Sequence, residues 1–177
     1  MPTTAVLAYG VLIVTAAILF YAAWNDLRNF KIPNELIVAL TGLFFLHASL
    51  LGRWSEMLWN IGLAFVMFLI MFVFYIRKTM GGGDLKLLTV GFLWAGFSCA
   101  LPFAVLLLAF ALIHAFLVRI GIVNAIGEDG RRVPFAPAIA AALIGIFMLG
   151  CLEYGPPGRS LPTRAGSSGQ VAPPQSQ

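Results

Sequence analysis

The apolar residues of this chain come in uninterrupted blocks, and no other feature constrains the fold as strongly. The first block runs from about Ala5 to Trp24 without a single charge. A stretch of that length reaches about 30 Å as a helix, the thickness of a bilayer's hydrocarbon core. Further blocks cover about Leu36–Leu51, Met57–Ile76, Leu85–Val123 and Pro134–Tyr154. Leu85–Val123 would be about 58 Å long as one helix, twice the core thickness, so it must form two spans. The break is expected within Trp94–Pro102, with Pro102 opening the fifth span. Composition agrees: 60% of the 177 residues are hydrophobic and 10% are charged, against roughly 25% charged in a soluble domain. One soluble core cannot hide that much apolar surface. The expected fold is therefore all-α, a polytopic transmembrane bundle of six spans.

Residues 1–154 read as one membrane domain. From 155 to 177 most positions are Gly, Pro, Ser or Gln. Such a segment buries too little to offset its ordering entropy and reads as a disordered tail. With six spans, the first, third and fifth loops share one side of the membrane. They hold Arg28, Lys31, Arg77, Lys78, Lys86, Arg119, Arg131 and Arg132, eight of the eleven basic residues. The other side has Arg53, with Arg159 and Arg164 in the tail. The positive-inside rule puts the basic loops in the cytoplasm and both termini outside. The net charge of +4 is thus topology information, and no nucleic-acid partner is expected.

Seven acids are present: Asp26, Glu35, Glu56, Asp84, Glu128, Asp129 and Glu153. Asp26 closes the first span and Asp84 opens the fourth, so both lie at the same, cytoplasmic, membrane level. Asp84 alone reads equally well as a helix N-cap. Asp26 is harder to explain by structure, because a carboxylate at a helix C-terminus meets the negative end of the macrodipole. Gly81, Gly82 and Gly83 precede Asp84. Each costs about 1 kcal/mol against Ala in a helix, so the run is expected to break helix, permit positive φ and let another chain approach. A short fourth span, about 25 Å long, would draw Asp84 below the lipid surface, where an ionisable group points to function.

Two carboxylates sharing a proton suffice for peptide hydrolysis: one takes a proton from water, the other donates to the scissile carbonyl. Helix-end electrostatics make Asp84 the base and Asp26 the acid. No competing set is present. His47 and His114 are single residues within spans and read as packed helix residues. Cys99 and Cys151 lack CxxC spacing or a neighbouring His, so both read as small lipid- or core-facing residues rather than a redox pair or zinc ligands. HExxH, GxSxG and Walker motifs are missing, and no metal or cofactor is expected. The alternative function is a small transporter or channel with Asp26 and Asp84 as ion sites. That reading calls for polar groups at span midpoints, whereas both acids lie at one face. A non-catalytic scaffold would need neither the glycine run nor the two acids.

The order of motifs resembles the type IV prepilin leader peptidases, membrane aspartic peptidases of the GxGD type. Asp26 leading to Ile32-Pro33-Asn34 is similar to the stretch after their first core helix. Gly81-Gly82-Gly83-Asp84-Leu85-Lys86 resembles their second aspartate motif, and Val133-Pro134-Phe135-Ala136-Pro137 the start of their last helix. The resemblance spans about residues 5–152. It implies an endopeptidase of the bacterial inner membrane that cleaves basic leaders from prepilins and pseudopilins at the cytoplasmic face, with bilayer and pilins as its partners. It also implies Asp26 and Asp84 as the catalytic pair, and Gly81, Gly83, Lys86, Pro33 and Asn34 as supporting residues. Larger members carry an extension with two CxxC pairs and methylate the new N-terminus. Without CxxC pairs, methylation is expected to be absent, and the compact form is most similar to peptidases serving tight-adherence (Flp-type) pili. Presenilin-type peptidases share GxGD, but the IPN segment and the position of both acids at one face favour the prepilin type.

Overall fold

A computed structural model describes residues 2–29, 32–78, 80–120 and 135–150. The helices are α1 (Pro2–Asn29), α2 (Asn34–Leu51), α3 (Trp54–Ile76), α4 (Gly82–Arg119) and α5 (Ala136–Met148). The described residues contain no strand. Helices α1 to α4 are each long and apolar enough to cross a membrane. The tail expected over 155–177, the loop with Glu128, Asp129, Arg131 and Arg132, and Cys151 lie outside the described residues.

α4 consists of two helical halves that meet at a sharp break. At Gly96 the backbone leaves helical geometry (φ 61°, ψ −176°), a region open essentially to glycine alone. The chain then folds back. The Phe92 and Phe103 rings meet edge to face at 5.0 Å, whereas eleven residues of straight helix would separate them by about 16 Å. The break therefore falls inside the expected window but at Gly96, and Pro102 lies within the second half instead of opening it. The physical reason is that the reversal needs positive φ, which proline's fixed ring denies. Asn60 of α3 fills the notch, its Oδ1 accepting from the Phe97 N–H at 3.4 Å.

The other connections follow local rules. α2 ends in a left-handed Gly52 (φ 65°), with Gly52 N–H donating to Ser49 and Arg53 N–H to Ala48, both at 3.2 Å. This paired arrangement satisfies the last carbonyls of α2 and reverses the chain into α3. Around the bundle α1 packs on α2 and α5, while α4 packs on α2, α3 and α5. α1 and α4 thus face each other across α2 on one side and α5 on the other.

The core lies on α4 and α5. Trp94 is buried, donates its indole N–H to the Leu40 carbonyl at 3.0 Å, and packs edge-on against Phe44. Outward, Phe65, Leu69, Leu108 and Leu112 are exposed, a surface that lipid solvates and water does not. Near the α2–α3 turn a cavity of about 560 Å³ opens between Phe44, His47, Asn60, Trp94 and Cys99. Cys99 is buried and disulfide-bonded, which corrects its reading as an unbonded packing residue. The reversal at Gly96 removes it from the lipid face.

Candidate active site

α1 buries Ala8, Val11, Thr15, Leu19 and Ala22, steps of three and four residues that mark one helix face. Asp26 continues that stripe by one more turn and is only 5% exposed. Its carboxyl enters the bundle because it follows the helical period of the core. Inside, Asp26 Oδ2 accepts the backbone N–H of Ala136 at 3.2 Å, the first residue of α5.

Asp84 stands in the first turn of α4, half-buried. The helix begins at Gly82, two residues earlier, so Asp84 is not its N-cap. On residues 84, 88, 91 and 95 the same period carries the side chain inward, toward Leu88, Gly91 and Ala95, all buried. The Asp26 carboxyl is close enough for its charge to act on Asp84. Two acids from different helices, distant in sequence, thus share one electrostatic site.

The glycine run works by closeness, not by positive φ. Among the described glycines only Gly52, Gly96 and Gly150 have positive φ, so the expectation of a broken, left-handed run is corrected: Gly82 and Gly83 are helical. A Cβ on Gly81 would stand 3.0 Å from Asp84 Oδ2, because the carboxyl folds back over that residue. A Cβ on Gly83 would stand 3.3 Å from the Ile32 side chain, and one on Gly82 would stand 3.3 Å from the Tyr75 ring. Just before the run, Lys78 takes a left-handed conformation (φ 57°), a sterically costly turn for a side-chain-bearing residue.

The supporting residues interlock the two aspartate segments. Lys86 Nζ donates to Asn34 Oδ1 at 2.9 Å, and Ile32 lies against Gly83. Pro33 acts through its backbone (φ −59°, ψ 139°) as the residue preceding α2, its carbonyl accepting from Leu36 N–H at 3.2 Å. The sequence reading did not anticipate Ala136 as a partner of Asp26, which lies far upstream of it in the chain. No periodicity links two such segments, and only packing brings α5 between α1 and α4.

The family model described as the type IV leader peptidase family matches residues 13–118, a stretch that holds α2, α3, both aspartates and the glycine run. No curated protein and no solved structure matches the chain. Since the match covers well over half of the 177 residues and takes in both aspartate segments, this chain belongs to the type IV leader peptidase family.

Proposed function

We propose that this peptidase is a membrane aspartic endopeptidase that removes leader peptides from prepilins and pseudopilins at the cytoplasmic membrane face. One observation carries the reading: Asp26 and Asp84 come from helices that do not pack on each other, yet their carboxyls are near enough to interact electrostatically. Such a pair divides one proton, so that one member can activate water while the other protonates the carbonyl oxygen. The first half of α4, residues 82–95, is about 21 Å long, shorter than the hydrocarbon core. That length keeps Asp84 within reach of a peptide bond emerging from the lipid.

Two features support the cytoplasmic face. Arg28, Arg77, Lys86 and Arg119 gather at the aspartate end of the helices, and Arg53 lies at the opposite end. Cys99, disulfide-bonded, also belongs to that opposite end, and disulfides persist in oxidising compartments outside the cytoplasm. Tight-adherence pilins are the substrates to try first. The test is incubation of detergent-purified protein with full-length prepilin, followed by product mass. The expected product lacks the leader; intact prepilin after exposure to folded protein would refute the proposal.

A further inference from the structure

The first turn of α5 has one N–H directed out of the helix. Ala138 N–H and Ile139 N–H both donate to the Phe135 carbonyl, at 3.1 and 3.2 Å. Pro137 has none to give. The Ala136 N–H goes instead to Asp26 Oδ2, and Ala136 is completely buried, so water cannot take the acceptor's place. A buried N–H without a partner is costly. An ionised carboxylate is the stronger acceptor for it, and a helix N-terminus adds favourable charge.

We infer that the Ala136 amide, with the α5 N-terminus behind it, is a positioning group that makes Asp26 the proton acceptor and leaves Asp84 the proton donor. This rests on the aspartic peptidase reading and reverses the division of roles that the ends of α1 and α4 imply by themselves. Asp26 takes a proton from water as the water oxygen bonds to the scissile carbon. Asp84 gives its proton to the carbonyl oxygen. On collapse Asp26 passes its proton to the leaving nitrogen as the C–N bond breaks, and Asp84 recovers a proton from the diol. Protons and bonds balance, and both carboxyls return to their starting states. The side chain of residue 136 takes no part. Its smallness lets the backbone come close.

The test deletes the N–H and little else. Lactic acid installed at position 136 by nonsense suppression replaces the amide with an ester and keeps the methyl group. The corresponding ester at Ile139 is the control, because it removes an N–H that serves only the helix. At position 136 the expected result is a kcat loss of about tenfold or more with KM unchanged, a displaced acidic limb of the pH–rate profile, and a lower melting temperature, since a buried hydrogen bond is lost. The ester at Ile139 should lower the melting temperature and leave kcat near wild type. If the 136 ester keeps wild-type kcat, or loses no more than the 139 ester, the positioning role is overturned. Wild-type cleavage of prepilin, measured alongside, stands or falls independently and separates this failure from failure of the peptidase reading.

Discussion

Asp26 enters the bundle for the same geometric reason that Leu19 and Ala22 do, since all three lie on one stripe of α1. A charge-poor chain that puts a carboxyl on its core stripe has to supply it with a partner, and the Ala136 N–H is one. Asp26→Asn and Asp84→Asn are each expected to abolish prepilin cleavage while expression and melting temperature stay near wild type. Substantial turnover by either folded variant would remove the pair from the mechanism. The glycines separate by what each would strike. Gly81→Ala directs a methyl at the Asp84 carboxyl from 3.0 Å, so kcat should fall by about tenfold or more through misplacement of a reacting group. Gly82→Ala meets only the Tyr75 ring, which is exposed and free to swing aside. That variant should cleave normally and gain up to about 1 kcal/mol of helix stability. Equal losses from the two would show that the run acts through flexibility. Both aspartates stand out in the sequence because a charge at a span end is conspicuous. The glycines' purpose does not, because close approach depends on which side chain arrives, here Ile32 from the α1–α2 connection and Asp84 itself.

At the level of elements, block length predicted the helices well, and glycine chemistry decided where they turn. α1 runs to Asn29, past the expected end at Trp24, because Asn25, Asp26 and Arg28 are polar without being helix breakers and Asn29 Nδ2 bonds back to Asn25 Oδ1 at 2.7 Å. The reversal of α4 follows from length alone, and Gly96 lies within the expected Trp94–Pro102 window, although Pro102 does not open the second half. Gly96 combines a glycine-only backbone with a neighbour, Asn60, whose amide atoms would stand 2.6 Å from an added Cβ. Gly96→Ala should therefore destabilise the protein by about 1–3 kcal/mol through backbone strain alone, seen as a lower melting temperature in detergent. Asn60→Ala, which opens the notch, should recover part of the loss by removing the overlap but not the strain. Full recovery would mean that the positive φ at Gly96 is not required.

For the whole molecule, the described helices give the bundle two chemically distinct ends. One gathers Asp26, Asp84, Lys86 and the start of α5. The other gathers the α2–α3 turn, the Gly96 reversal, Cys99 and the 560 Å³ cavity. The aspartate end carries most of the basic residues, which the positive-inside rule assigns to the cytoplasm. Cys99 gives an orientation argument of different origin, because a disulfide survives only where thiols are not kept reduced. Reporter fusions after Lys78 and Arg132 should therefore read cytoplasmic, and fusions after Gly52 and in the tail beyond Tyr154 should read external. The cysteine argument predicts a second, independent result. Protein denatured directly from cells should take up no maleimide at Cys99 until a reductant is supplied. Labelling without reductant would remove the disulfide from the argument and leave the basic residues alone to set orientation. A cytoplasmic reading for the tail together with an external reading at Gly52 would mean that an odd number of spans, five instead of six, crosses the bilayer. The proposed cytoplasmic cleavage would still be tested by the fusion after Lys78, which depends on nothing downstream of α4.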